Sequence, residues 1–226
     1  MRGLTLVFDL DGTLVDTAPD LIRAANHVLA TEGLPAIAGE ELRPAISFGA
    51  RQMLATGLKV HGIRRSEAEL DGLLDRFLAF YEANIAVESR PFPGVVEVLD
   101  HFRAEGAVIA VCTNKREQLS RELLGELGLA PRFRAVAGRD TFAVCKPHPD
   151  HLLGAIRLAG GEPRRAVMVG DSDTDIQTAR AARIPIIGVT FGYTDVPVTK
   201  LGADAVIDDY NEFRPALARL LAANGG

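Results

Sequence analysis

Two aspartates, Asp9 and Asp11, follow the apolar run Leu4–Phe8 within the string F-D-L-D-G-T-L-V-D at 8–16. Carboxylates this close repel each other unless a cation or a shared proton compensates their charge. Gly12 permits a turn that most residues resist. A single aspartate here would be ordinary, because Asp is common at strand ends and in turns. The paired acids within the whole string instead indicate a functional site that a cation or a proton completes.

Three further polar clusters follow apolar runs later in the chain: T-N-K at 113–115, C-K-P-H-P at 145–149 and G-D-S-D-T-D at 170–175. The three aspartates of the last cluster would be unfavourable for folding without a cation. Asp173 is interpreted as solvated or as a helix cap. The chain contains 25 lysines and arginines, of which only Lys59, Lys115, Lys146 and Lys200 are lysines.

Short apolar runs precede these clusters and predict buried parallel strands, because almost continuous hydrophobicity implies that both faces of the sheet are covered. The predicted strands are 4–8, 107–112, 135–137, 166–169, 184–189 and 205–207. Helical patterns lie between them, at 94–105, 116–127, 149–159, 175–182 and 212–222. The alternation predicts an α/β fold with a doubly wound parallel sheet, whose strand ends are the usual place for ligands.

Residues 17–86 interrupt the alternation with helical periodicity and no convincing strand. Helices are predicted from residue 17 and at 40–47, 50–60 and 66–84, and the string R-P-F-P-G at 90–94 is typical of an extended linker. We therefore expect an α/β core formed by 1–16 and 87–226, with a helical domain at 17–86 inserted after the first strand.

The composition narrows the class of protein. The chain has 226 residues, of which 47% are hydrophobic and 24% charged, and its formal net charge is −5. These values are typical of a globular protein and argue against nucleic acid as its main partner. The two cysteines, Cys112 and Cys145, are too few for a disulfide framework and are interpreted as packing residues. No apolar run approaches the roughly 18 residues of a membrane span, so a cytoplasmic protein without a membrane partner is expected.

The four clusters, taken in order, resemble the motifs of the haloacid dehalogenase-like (HAD) superfamily of phosphotransferases. D-x-D-G-T-L-V-D-T is similar to its first motif, Thr113 to its second, Lys146 to its third, and the acids at 171–175 to its fourth. The resemblance covers the chain from Phe8 to Asp175, and the helical insertion lies where the C1 cap of the superfamily belongs. It implies a HAD-like Rossmannoid core with a C1-type cap.

The resemblance also implies roles for individual residues. Asp9 would be the nucleophile and Asp11 the general acid and base. Mg²⁺ would be held by the carboxylates of Asp9 and Asp171 and by the backbone carbonyl of Asp11. Lys146 would neutralise the charges of the nucleophile and the substrate phosphate. A compact ammonium fits beside a metal and a phosphoryl group better than a planar guanidinium does. The alternative is that Lys146 is an ordinary surface lysine.

The same comparison implies that Thr113 and the backbone N–H groups after it, beginning at Asn114, bind phosphate oxygens, unless Thr113 only caps a helix. Asp175 would orient the lysine or a metal-bound water. In the helical insertion, Arg51 follows Phe48-Gly49-Ala50 and could pair with a substrate carboxylate, or it could be an ordinary solvated arginine. His148 and His151 lack clustered partners and are interpreted as structural.

Within the superfamily, the strings C-T-N-K and D-T-F-x-V-x-K-P-x-P are most similar to those of bacterial phosphoglycolate phosphatases. The implied reaction is Mg²⁺-dependent hydrolysis of 2-phosphoglycolate, a small phosphorylated metabolite, through an aspartyl-phosphate. Three alternatives stay open: a phosphatase for another sugar phosphate or pyrophosphate, a β-phosphoglucomutase-like isomerase, and a non-catalytic regulator. The intact acid pair argues against the regulator. Whether the protein is a monomer or a homodimer is left open by the sequence.

Overall fold

The computed structural model describes residues 1–224, which contain eight strands and ten α-helices. The strands are β1 (Thr5–Phe8), β2 (Val15–Asp16), β3 (Arg90–Pro91), β4 (Val108–Cys112), β5 (Ala135–Ala137), β6 (Ala166–Gly170), β7 (Ile186–Val189) and β8 (Ala205–Ile207). The helices are α1 (Ala18–Thr31), α2 (Gly39–Leu42), α3 (Ala50–Val60), α4 (Glu67–Glu82), α5 (Val95–Ala104), α6 (Glu117–Glu126), α7 (Pro149–Leu158), α8 (Asp173–Ala182), α9 (Val198–Leu201) and α10 (Phe213–Asn224).

The chain separates into two compact units. One consists of Met1–Asp16 and the chain from Pro91 onward, and the other of Thr17–Arg90. The first contains the α/β elements, and the second contains helices α1–α4.

A six-stranded parallel sheet in the order β5-β4-β1-β6-β7-β8 forms the α/β unit. Each strand is short and almost entirely apolar because helices cover both of its faces. The predicted doubly wound parallel sheet is confirmed, with all six predicted strands present. In the central register, Phe8 of β1 lies opposite Val111 of β4 and Val169 of β6. The residues that follow these three strands therefore leave the same edge of the sheet side by side.

Buried side chains on the two faces of the sheet hold its helices in place. On one face, Val7 and Met168 pack with Leu152 and Ile156 of α7 and Ile176 of α8. On the other face, the Phe213 ring of α10 stacks on Phe8 at 5.8 Å between ring centroids and meets Phe102 of α5 edge-on at 5.6 Å. Each fully buried large apolar side chain contributes roughly 1.5–3 kcal/mol, so these layers fix the strand ends firmly.

The helical unit has its own apolar core, formed where α1, α3 and α4 pack together, with Val28, Leu54 and Phe77 buried. A capping box between Ser66 and Glu69 begins α4. The helix predicted at 40–47 is replaced by the short α2 and a 3₁₀ segment at Arg43–Phe48. Pro44 explains the change, because it lacks the N–H that an α-helix would use there.

Within residues 1–224, none of the helices combines the length and the apolar character that crossing a membrane requires.

Candidate active site

Three buried aspartates meet at the edge of the sheet where β1 and β6 end. Asp9 follows β1, Asp171 follows β6, and Asp175 lies in the first turn of α8. One carboxylate oxygen from each lies within 4.8 Å of the other two. All three residues are buried, the most exposed being Asp9 at 8%. The strand register brings Asp9 and Asp171 together, and the tight turn from β6 into α8 brings back Asp175.

Lys146 supplies the positive charge of this cluster. Its Nζ lies 2.9 Å from Asp9 Oδ1 and 2.6 Å from Asp175 Oδ1, although the residue is only 4% exposed. Burial by itself would lower the pKa of the lysine, but the charges of Asp175 and Asp9 outweigh it and raise that pKa. The raised pKa favours the charged ammonium beside Asp9. Asp175 is held in turn by Ser172, whose hydroxyl and N–H donate to Asp175 Oδ2 at 2.6 and 3.1 Å.

Asp171 is fixed by groups from two loops. The Thr13 hydroxyl donates to Asp171 Oδ1 at 2.9 Å, and the Tyr193 N–H donates to Asp171 Oδ2 at 2.9 Å. Gly12 and Gly192 pack so closely that a Cβ on either would overlap the Asp171 side chain. Such support holds a ligating carboxylate in one orientation.

The charges of the cluster fit a hard cation. Burial raises the pKa of Asp9 to about 6, partly opposed by Lys146. Burial, with the nearby Asp175 and Asp9 charges, raises the pKa of Asp171 to about 8. One ammonium does not compensate three clustered carboxylates, whereas an additional divalent cation would. An all-oxygen donor set is the one that hard cations such as Mg²⁺ and Ca²⁺ prefer. The acidic cluster could therefore hold a metal ion.

Asp11 faces a different partner. Both of its carboxylate oxygens contact the Lys115 ammonium, at 3.1 and 3.2 Å. The Asp11 side chain is 20% exposed, whereas Asp9 and Asp171 are more deeply buried. The two acids of the first motif thus have separate surroundings: Asp9 lies in the acidic cluster with Lys146, and Asp11 pairs with Lys115.

Thr113 and Asn114 begin the loop after β4. Thr113 is buried, and its hydroxyl oxygen accepts a hydrogen bond from the Lys115 N–H at 3.2 Å. The Asn114 side chain donates to the backbone carbonyl of Lys146 at 3.0 Å. Asn114 therefore supports the loop that carries the lysine, in addition to the phosphate-binding role predicted for its backbone.

His151 holds the same loop from the other side. Its Nδ1 accepts the backbone N–H of Lys146 at 3.0 Å, so Nε2 carries the proton and donates to the Gly138 carbonyl at 3.0 Å. Burial and the Lys146 charge lower the pKa of His151 to about 4. The structure thus places this histidine, neutral and fully buried, directly against the backbone of Lys146.

Arg51 lies in α3 of the helical unit and is engaged within that unit. Its Nη1 pairs with Glu67 at 2.9 Å, and its Nη2 pairs with Asp71. A guanidinium held by two exposed acids can exchange these partners for another carboxylate, because exposed ion pairs are weak.

The arrangement of buried carboxylates and a buried lysine at one sheet edge agrees with comparisons to known proteins. The profile of the haloacid dehalogenase-like hydrolases matches residues 6–189. The chain belongs to this family. The match begins within β1 and ends at the last residue of β7, so it spans every strand that contributes to the site.

Relatives within the HAD family extend along almost the whole chain. The chain is 47% identical over 219 residues to a phosphoglycolate phosphatase of Agrobacterium fabrum, covering 97% of this chain and 94% of that protein. It is 48% identical to one of Mesorhizobium japonicum, covering 97% of each. A crystal structure of a predicted phosphoglycolate phosphatase from Haemophilus somnus superposes with a TM-score of 0.87 at 29% identity, covering 95% of this chain and 97% of that one.

Four supporting positions of this HAD site had no role in the sequence interpretation, or only a structural one. Thr13 and Lys115 stand inside the quoted motifs, and the scarcity of lysine was a usable signal for Lys115. Tyr193 acts through its backbone N–H, which no side-chain pattern reveals. The sequence predicts a structural role for His151 but no partner, because its contact with Lys146 depends on the path of the loop.

Proposed function

We propose that this protein is a Mg²⁺-dependent phosphatase that hydrolyses 2-phosphoglycolate to glycolate and phosphate. The observation that carries the proposal is the placement of Asp9 and Asp171 at adjoining strand ends, with the Lys146 ammonium against Asp9. The relatives of this chain at 47–48% identity are named phosphoglycolate phosphatases. A small phosphorylated metabolite is the corresponding partner.

In the first half of the reaction, an Asp9 oxygen attacks phosphorus in line, and the bond from phosphorus to the ester oxygen breaks. The electron pair of that bond stays with the leaving glycolate oxygen, which takes a proton from Asp11. Asp9 becomes an aspartyl-phosphate. Asp9 is suited to this step because Lys146 lies against its carboxylate and reduces the repulsion between two anions.

The carboxylates of Asp9 and Asp171 and the backbone carbonyl of Asp11 would hold Mg²⁺, which when bound neutralises charge between the nucleophile and the phosphate. Lys146 and Thr113, with the N–H groups from Asn114 onward, bind phosphate oxygens. Asp175 keeps the Lys146 ammonium in place through the 2.6 Å contact. In the second half, a water oxygen attacks phosphorus, Asp11 takes a proton from the water, and phosphate leaves Asp9.

The helical unit is proposed to act as a cap that excludes water and selects the substrate. Arg51 would exchange Glu67 and Asp71 for the glycolate carboxylate, since a guanidinium makes bidentate contacts with such groups. We also retain the cytoplasmic location expected from the sequence.

The test is kcat/KM for a panel containing 2-phosphoglycolate, glucose 1-phosphate, pyrophosphate and other small phosphomonoesters, with and without Mg²⁺. We expect 2-phosphoglycolate to be among the best substrates, EDTA to abolish turnover and Mg²⁺ to restore it. Conversion of glucose 1-phosphate to its isomer without release of phosphate would instead establish a mutase.

Asp9→Asn tests the nucleophile. It removes the attacking oxygen anion, and we expect kcat to fall by about 10³-fold or more while the circular dichroism spectrum is unchanged. Asp173→Asn is the matched control, because Asp173 is an exposed acid of the same strand-end region that bonds only its helical neighbour Gln177 among the contacts described. Retained activity in Asp9→Asn would refute the assignment.

A further inference from the structure

The ion pair between Asp11 and Lys115 joins the ends of β1 and β4. The Lys115 side chain is only 6% exposed, and its ammonium lies 3.1 and 3.2 Å from the two Asp11 oxygens. From this geometry we infer that Lys115 is a positioning residue, which holds Asp11 as the base for hydrolysis of the aspartyl-phosphate. The inference rests on the proposed function and extends it to a specific half-reaction.

The backbone of Lys115 is fixed at both ends, so the reach of its side chain is defined. Its N–H donates to the Thr113 hydroxyl at 3.2 Å, and its carbonyl accepts the Arg139 N–H at 2.9 Å. A long lysine side chain loses considerable rotamer freedom when it is held in one place. Contact with both oxygens of one carboxylate in turn limits rotation of the Asp11 side chain.

The pair matches one half of the reaction better than the other. A carboxylate that faces an ammonium through both oxygens can accept a proton, whereas a general acid must already carry one. Lys115 holds both oxygens of Asp11 in one orientation, which is what a base needs in order to present an oxygen to the attacking water.

The step in which Asp11 acts as the base is hydrolysis of the aspartyl-phosphate. A water oxygen forms a bond to phosphorus while Asp11 accepts one of the water protons. The bond from phosphorus to the Asp9 oxygen breaks, and its electron pair restores the Asp9 carboxylate. Inorganic phosphate departs, and the proton on Asp11 is available to the next leaving group.

Two separate lysines serve the two acids of the first motif. Lys146 contacts Asp9 and Asp175, and Lys115 contacts Asp11. Among the contacts described, those of Asp9 with Lys146 do not involve Lys115. A Lys115 variant can therefore be tested by measuring phosphoryl transfer to Asp9 and hydrolysis of the aspartyl-phosphate independently.

The experiment uses Lys115→Met and p-nitrophenyl phosphate, whose leaving group needs no proton from an acid. We expect kcat to fall about 10- to 100-fold because the base is no longer held in place, while kcat/KM, which reports phosphoryl transfer, changes by less than about 3-fold. A burst of about one nitrophenolate per enzyme should precede slow turnover. Acid quench and mass spectrometry should then detect phosphorylated protein in the variant.

Three variants complete the design. Lys200→Met removes an exposed lysine of the same unit and should behave like the wild type. Lys115→Arg keeps the positive charge and should recover part of kcat. In an Asp11→Asn background, Lys115→Met should lower kcat little further, because the effects of two residues that act through one another are not additive.

A parallel fall of kcat and kcat/KM without accumulation of phosphorylated protein would overturn the inference and assign Lys115 to substrate binding. An unchanged kcat in folded Lys115→Met would also overturn it. If 2-phosphoglycolate proves a poor substrate but p-nitrophenyl phosphate reacts, the proposed substrate fails while the burst still decides the role of Lys115.

Discussion

Asp171 shows how much surrounding structure one carboxylate in this site requires. Each of its oxygens accepts a hydrogen bond, one from a side chain and one from the backbone, and two glycines leave room for it alone. Because burial and neighbouring acids raise its pKa to about 8, the anion needs these donors, and a cation, to persist at neutral pH.

Thr13→Val tests this support at the scale of a residue. The substitution keeps the shape of the side chain but removes the hydroxyl that donates to Asp171. We expect the Mg²⁺ concentration for half-maximal activity to rise about 10- to 100-fold, because groups that orient metal ligands have effects of this size. A Mg²⁺ titration of activity measures it.

Thr178→Val is the matched control for this experiment. Thr178 is a buried threonine whose hydroxyl bonds only the Thr174 carbonyl in its own helix among the contacts described. An equal rise in the Mg²⁺ requirement for both variants would mean that Thr13 acts through stability and not through Asp171.

The sequence predicts which acids belong to the site, but not which residues contact them. Asp9 and Asp171 follow apolar runs that predict strands ending at the same sheet edge, whereas the position of Lys146 is implied by the family resemblance. The structure does place all three together. The contact between Lys115 and Asp11 depends on β4 being the immediate neighbour of β1, which hydrophobic pattern alone does not specify.

At the scale of elements, the path of the loop from β5 to α7 is fixed by side chains that form hydrogen bonds with the loop backbone. Asn114 donates to the Lys146 carbonyl, and His151 accepts the Lys146 N–H. His151 faces the Lys146 charge and the Phe142 ring, whose centroid lies 6.0 Å away. The backbone of Lys146 is thus held by the side chains of Asn114 and His151.

His151 makes a distinct contribution to the pH dependence of stability. Its pKa falls from 6.5 in the reference state to about 4 in the folded protein, so the unfolded chain takes up a proton first as the pH decreases. The stabilisation is complete above about pH 6.5 and is lost as the pH falls towards about 4.

His151→Asn, which retains an acceptor for the Lys146 N–H, removes this titration. Between about pH 7 and about pH 5 we expect the wild type to lose about 1–2 kcal/mol more unfolding free energy than the variant. Urea unfolding at the two pH values measures the difference. Equal losses would show that His151 does not titrate in this way.

The sequence predicts elements with a clear apolar pattern well. It predicts less well the elements whose conformation depends on a proline or on backbone hydrogen bonds. All six sheet strands were found because helices bury both of their faces, which forces an apolar run. The second half of the helix expected at 40–47 is wrong, because Arg43–Phe48 is a 3₁₀ segment. The apolar pattern predicts a helix there, but Pro44 lacks the N–H that an α-helix would use.

At the scale of the whole molecule, a buried carboxylate connects the first and last segments of the helical unit. Asp20 in the first turn of α1 accepts hydrogen bonds from the Ser89 N–H and hydroxyl at 2.8 and 2.7 Å, and pairs with Arg23 at 2.9 Å. The start of the unit is thereby joined to its end. Sequence alone did not suggest this contact, because the partners are 69 residues apart.

Asp20→Asn should therefore destabilise the protein. The change places an amide N–H₂ among groups that donate, and it removes the anion from a buried network. We expect a loss of about 2–4 kcal/mol in unfolding free energy, measured by urea denaturation near neutral pH. Asp75→Asn, on the exposed face of α4, should change stability by less than about 0.5 kcal/mol. A loss in Asp20→Asn no larger than in this control would contradict a stabilising role for the contacts of Asp20 with Ser89 and Arg23.

The order of the strands also bears on when the protein becomes active during its synthesis. Thr13 and Asp171 bond across 158 residues, and the N–H that completes the Asp171 contacts belongs to Tyr193. A nascent chain therefore carries Asp9 and Thr13 long before Asp171 and Tyr193 leave the ribosome. The Asp171 contacts cannot be completed until the chain has been translated past Tyr193, so assembly of the acidic cluster reports that the α/β unit has folded.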